Sequence, residues 1–134
     1  MNKIKRFTAI AMAVVCMAAP TMTAMAETTN FNITVGLGQQ DPKSKRTEKA
    51  GGSKFENRFY VTVTSITPHA GAVKVWSNAL DETVSSSPVI ARRGSKGIGT
   101  FYNGYAKPGK YYYMNSSYVL SPSVQVNARG RYTP

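Results

Sequence analysis

An all-β fold, a single small antiparallel β-sandwich or partly open barrel, is what this 134-residue sequence predicts. Three observations predict it. Six or seven short stretches alternate apolar with polar residues, as strands half buried against a core do. Clusters of Gly, Pro, Asn and Ser separate these stretches at the spacing of turns. No stretch sustains the 3.6-residue period of a helix, which leaves the sandwich and barrel architectures.

Residues 1–26 stand apart from that domain. Lys3, Lys5 and Arg6 precede an apolar run over residues 7–19, and Ala24-Met25-Ala26 offers small residues where a signal peptidase cuts. This is the three-part pattern of a secretory signal peptide, cleaved between Ala26 and Glu27. The apolar run is shorter than the roughly 20 residues that span a bilayer. Pro20, Thr21 and Thr23 close it, and the bulky Val15 before Cys16 argues against a lipoprotein. The expected exported domain is therefore residues 27–134, with no transmembrane segment. It has no cysteine, because Cys16 leaves with the leader. Its 108 residues suffice for one packed core without disulfides.

Charge narrows the partners. Of 17 Lys and Arg, three leave with the leader, and the remainder face six acidic residues, a formal +8. Outside a cell, such an excess favours anionic envelope polymers or lipid headgroups, and it also keeps a small domain soluble. Export argues against nucleic acid as the target.

The elements follow in order. Phe31, Ile33, Val35 and Leu37 alternate with Asn32, Thr34, Gly36 and Gly38, a strand whose glycines suggest an edge or bulge. Residues 39–54 lack apolar periodicity and hold Lys43, Lys45, Arg46, Lys49 and Lys54, which predicts a mobile basic loop. The strongest strand is residues 58–67, with Phe59, Val61 and Val63 on one face. Burying each of these stabilises the fold by roughly 1.5–3 kcal/mol before chain entropy is subtracted. After a turn at Pro68-His69-Ala70-Gly71, residues 72–77 return with Val73 and Val75 inward and Lys74 and Trp76 outward. A polar connection over 78–87 leads to a short strand at 88–93.

Residues 100–113 then read as two aromatic arms around Lys107-Pro108-Gly109-Lys110. Proline presets φ for the first central position of a type II turn, and glycine accepts the positive φ of the second. The expected result is a β-hairpin. In the last strand, Val124, Val126, Ala128, Gly130 and Tyr132 alternate with Gln125, Asn127, Arg129 and Arg131.

Little here points to catalysis. The only His is His69, in a turn, and no His or Cys pair supplies zinc spacing. Asp81 and Glu82 are adjacent, so an extended chain points them to opposite sides. Gly94-Ser95-Lys96-Gly97-Ile98-Gly99 lacks the strand-to-helix setting of a phosphate loop. A non-enzymatic protein with no cofactor and no metal is expected. The candidate binding surface is Lys107, Lys110, Tyr111, Tyr113, Arg129, Arg131 and Tyr132, where aromatics interleave with basic residues. The same aromatics fit a core and a covered sheet face equally well.

The Phe31-Asn32-Ile33-Thr34 strand, Phe101-Tyr102-Asn103-Gly104-Tyr105-Ala106 and residues 118–126, Tyr-Val-Leu-Ser-Pro-Ser-Val-Gln-Val, follow a signal peptide in that order. This arrangement resembles a family of small secreted Gram-positive proteins without an assigned function, itself distantly similar to lactococcin-type bacteriocins. The resemblance implies a β-sandwich and carries no catalytic residues. The basic ending Arg129-Gly130-Arg131-Tyr132-Thr133-Pro134 departs from the aromatic or acidic finish expected there. The functional expectation is a secreted, bacteriocin-like or envelope-binding protein at a bacterial cell surface. The alternative is an interaction module that docks on a partner protein by pairing a strand edge.

Overall fold

Alternation in residues 58–67 produces the central strand of one sheet, as Phe59, Val61 and Val63 turn inward and are essentially inaccessible to solvent. The structure, a computed structural model, describes residues 27–37, 43–52, 55–68, 71–119, 121 and 123–134. The signal-peptide expectation and His69 lie outside the described residues, as do residues 39–42 and 53–54 of the expected basic loop.

Among the described residues eight strands form: β1 (Thr29–Val35), β2 (Thr47–Glu48), β3 (Arg58–Thr67), β4 (Val73–Ala79), β5 (Val89–Ala91), β6 (Lys96–Thr100), β7 (Tyr111–Tyr118) and β8 (Val126–Thr133). They pair antiparallel into two four-stranded sheets, β1-β8-β3-β6 and β2-β7-β4-β5. The sheets stay open, so the fold is a small sandwich and not a barrel. Between them lies one core, built from Phe31, Ile33 and Val35 of β1, Val73 and Val75 of β4, Phe101, Tyr112, Met114 and Tyr132, among others. Val73 and Val75 are buried and Lys74 is exposed, the parity expected of β4, whereas Trp76, expected to point outward, is half-buried with its indole nitrogen covered.

Local irregularities keep apolar side chains on the core side. In β3, Val63 pairs with Gly130 and Ser65 with Arg129, leaving Thr64 as an extra residue. That bulge shifts the alternation by one, and Ile66 turns inward instead of Ser65. The Thr64 hydroxyl donates to the Arg129 carbonyl at 3.2 Å. Two glycines make room for rings from the neighbouring strand. A Cβ at Gly99 would lie 1.9 Å from the Phe59 ring, and one at Gly130 would lie 2.8 Å from the ring of Phe31.

Two expectations need correction. Residues 100–113 do not form a hairpin, although the turn at their centre is present: Lys110 N–H donates to the Lys107 carbonyl, and Gly109 has φ +68°. The arms separate into different sheets, β6 pairing with β3 and β7 with β4. The reason is packing across the core. Phe101, just past β6, sets its ring edge-on to Phe59 at 6.0 Å and to Tyr112 of β7 at 4.9 Å. A ladder between the arms would pull Phe101 and Tyr112 out of that facing arrangement. Among the described strands, β4 and β5 alone are consecutive and paired; the others alternate between the two sheets along the chain.

The second correction concerns the basic loop. Residues 43–52 are held as the edge of the second sheet: Thr47 and Glu48 pair with Tyr112 and Tyr111, and Lys43 bridges to Asn115. Lys49 N–H donates to the Lys110 carbonyl at 2.9 Å, and Gly109 N–H to the Lys49 carbonyl at 3.0 Å. Buried Thr47 and Ala50 complete the attachment.

A candidate binding cleft and a basic face

A cleft of about 730 Å³ opens where the 79–85 connection meets the 103–112 segment. Each wall is shaped by local hydrogen bonds. On one side Ala79 N–H donates to the Thr83 carbonyl, and Glu82 N–H returns to the Ala79 carbonyl, both at 3.0 Å. Asp81 closes this turn, its carboxylate accepting from Thr83 N–H at 3.1 Å; hydrogen bonding from the Thr83 side chain, and then from its backbone, holds the Asp81 pKa below the usual carboxylate value. Glu82 sits at φ +68° and its carboxylate pairs with Lys43 at 3.0 Å.

Tyr112 organises the opposite wall. Its buried hydroxyl donates to the Tyr105 carbonyl at 2.5 Å and accepts from Lys107 N–H at 3.0 Å. One phenol therefore sets both ends of the loop that carries Tyr105 and Lys107. Exposed Tyr105 packs edge-on to Tyr102, ring centroids 6.1 Å apart. Tyr111 points outward and donates to the Glu48 carboxylate at 3.3 Å, and that negative charge raises its pKa. The lining combines Leu80, Tyr105 and Tyr111 with Lys107, Lys110 and Asp81.

The expected binding residues divide among four places. Lys107, Lys110 and Tyr111 line the cleft. Arg129 and Arg131 project from the outer face of the other sheet, alternating with buried Ala128, Gly130 and Tyr132. Tyr113 is covered, with the Lys43 ammonium 5.1 Å from its ring centre and its hydroxyl accepting from Asn78 Nδ2 at 3.3 Å. Tyr132 lies in the core, wholly inaccessible, so it belongs to the packing and not to a surface. The single patch expected from all seven does not form, because β7 and β8 sit in different sheets.

Sequence reasoning missed Leu80, Asp81 and Thr83 as partners of the Lys107–Lys110 turn. The available signal was Leu80, an apolar residue stranded in a polar connection, which is 51% exposed.

On the outer face of the first sheet, one rung runs Asn30, Arg131, Thr62, Lys96 across four strands. The next basic position on β8, Arg129, stands between Asn32 and Ser65. Lys96 lies 4.1 Å from the Tyr60 ring centre, and the Tyr60 hydroxyl donates to Glu56, the bond that chiefly raises its pKa.

The remaining unusual group is Lys49. Its buried ammonium donates to the Arg58 carbonyl at 2.9 Å and sits 4.6 Å from the Phe101 ring centre. Burial lowers its pKa to about 8, against the opposing pull of Glu56. Among the described residues, no group of three or more His, Cys, Asp or Glu could hold a metal ion, and no helix is long and apolar enough to cross a membrane. Comparison with known proteins finds no matching family model, no matching curated protein and no matching solved structure.

Proposed function

We propose that the protein is exported and acts at a bacterial cell surface as a non-enzymatic, bacteriocin-like binder of anionic envelope polymer or lipid headgroups. The observation that carries this reading is the Asn30-Arg131-Thr62-Lys96 rung with Arg129 beside it. Arg131 and Lys96 stand two strands apart, about 10 Å, and Arg129 and Arg131 about 7 Å apart along β8. Positive charges at that spacing on one sheet face can meet an array of phosphates or carboxylates. Its attraction should weaken as salt rises, since the screening length is about 10 Å at 0.1 M.

The test is cosedimentation of purified protein with anionic liposomes, neutral liposomes and isolated cell walls across a salt series. Replacing Arg129 and Arg131 with Gln should reduce binding to the anionic surfaces, and replacing Lys45 and Arg46 with Gln should reduce it less. Binding that ignores both pairs, or ignores salt, removes the electrostatic reading.

A second reading has its own observation. β1 ends its sheet, and among the described residues its outer edge pairs with no strand over seven residues. Such an edge offers backbone groups to an extended segment of a partner protein. Salt-insensitive capture of a partner would favour it.

A further inference from the structure

We infer that the cleft between the 79–85 connection and the 103–112 segment binds a short saccharide carrying an acidic substituent, an inference that rests on the envelope-binding reading and gives that reading a specific ligand group. Size comes first: about 730 Å³ falls within the range of roughly 300–1,000 Å³ typical of small-ligand sites. The lining chemistry then selects the class. Tyr105 and Tyr111 are exposed aromatics on one side, and Leu80 is an exposed apolar side chain on the other. Aromatic rings take the apolar C–H faces of sugar rings, and their amphipathic tips suit a wet site.

The polar groups agree with that choice. Asp81 and Asn103 can take sugar hydroxyls, and the Asp81 carboxylate is oriented by its bond from Thr83. Lys107 and Lys110 bring two exposed ammonium groups to the same cleft, and neither pairs with a carboxylate among the described residues. Of the groups lining the cleft itself two are cations and one is a carboxylate, while Glu48 and Arg46 flank Tyr111 at the rim; an acidic substituent on the sugar would pair with the two ammonium groups.

The site is also built before any ligand arrives. The Tyr112 hydroxyl fixes the backbone at Tyr105 and Lys107. Bonds to Lys49 hold the backbone at Gly109 and Lys110. The Lys43–Glu82 ion pair ties down the facing turn. Pre-set walls lower the ordering cost of binding.

Calorimetric titration of the purified protein tests the inference with three probes: an N-acetylglucosamine oligosaccharide bearing 6-phosphates, the same oligosaccharide without phosphate, and inorganic phosphate. The phosphorylated sugar should bind tightest, the neutral sugar more weakly, and phosphate alone weakest. Tyr105→Ala should weaken both sugars by about tenfold, as loss of an aromatic anchor does. Lys107→Gln with Lys110→Gln should weaken only the phosphorylated one. Lys74→Gln, exposed on another face, should change neither. All these positions are exposed, and unchanged thermal midpoints will show that the variants fold. Absence of sugar binding, or binding that survives both cleft variants, overturns the inference. Phosphate binding as tight as the phosphorylated sugar also overturns it, reducing the cleft to an anion site. If sugars fail while wall binding still responds to Arg129 and Arg131, the cleft inference falls alone; if wall binding fails too, the envelope reading falls with it.

Discussion

The hydroxyls of Ser77 and Tyr132 meet at 2.5 Å between the two sheets, each residue wholly buried. Ser77 belongs to β4 and Tyr132 to β8, so this contact links sheets that share no ladder. Removing either hydroxyl strands the other in a dry core, at a cost of about 1–3 kcal/mol. Tyr132→Phe and Ser77→Ala should each lower stability by that amount. The double variant should lose less than the sum, because the second change removes the stranded group. Urea denaturation of the four proteins measures this; additive losses would mean that the hydroxyls do not interact.

The same burial predicts an alkaline limit. Desolvation pushes the Tyr132 phenol far above its ordinary value, against the smaller opposing effect of Ser77. Once unfolded, the phenol ionises near pH 10. Its folded pKa is the higher one, so its contribution is complete below about pH 10 and is lost as pH rises beyond that. Tyr132→Phe should lose stability less steeply above about pH 10 than the parent does. Equal slopes would place the phenol in contact with water.

Lys49 has the opposite sign. Its folded pKa of about 8 lies below the ordinary 10.5, so the unfolded chain holds the proton over an interval where the folded chain has released it. Its effect is to raise stability as pH climbs from about 8 to about 10.5. Lys49→Met should remove that rise, seen as a smaller difference between denaturation midpoints at about pH 7 and about pH 9.5. An unchanged difference would show that the ammonium is hydrated.

Three glycines separate space from backbone conformation. Ala at Gly99 would drive its Cβ into the Phe59 ring, so overpacking should cost about 1–3 kcal/mol or more. Two residues earlier on β6, a Cβ at Gly97 meets Val89 and Val61 at ordinary distances of 3.5 Å and beyond. Gly97→Ala should stay within about 0.5 kcal/mol of the parent. Gly109→Ala meets nothing closer than 3.7 Å but keeps φ +68°, and should cost about 1–2 kcal/mol through strain alone. Similar losses at Gly97 and Gly99 would refute the ring placement.

The proposed export makes a prediction at one bond. In the structure Glu27 N–H donates to the Glu48 carbonyl at 3.2 Å, and Glu48 N–H donates to the Glu27 carboxylate at 3.4 Å. N-terminal sequencing of secreted protein should begin at Glu27, the first residue of that contact. Protein found only in cells and retaining Met1 would reject export.

Period-2 alternation by itself determined the all-β class and the inward faces of β3 as far as Val63, of β4 at Val73 and Val75, and of β8 from Val126. Side-chain parity is a property of each strand alone. Val124, read into the same alternation, lies outside β8 and is exposed. Parity placed Tyr132 with Val126 and Ala128, on the buried side, which its basic neighbours Arg129 and Arg131 obscured. The turn at Pro108-Gly109 was equally legible, since φ preferences act within a few residues. What the turn could not specify was whether the arms around it pair with each other. That depended on Phe101 and Tyr112 meeting from facing sheets, a contact between side chains that no local preference encodes. β2 escaped notice because Thr47 and Glu48 carry no apolar pattern, and the edge of β7 supplies their order. The cleft was hidden for the same reason: Leu80 and Lys107 are remote in sequence, and only the packing of two sheets brings their connections together.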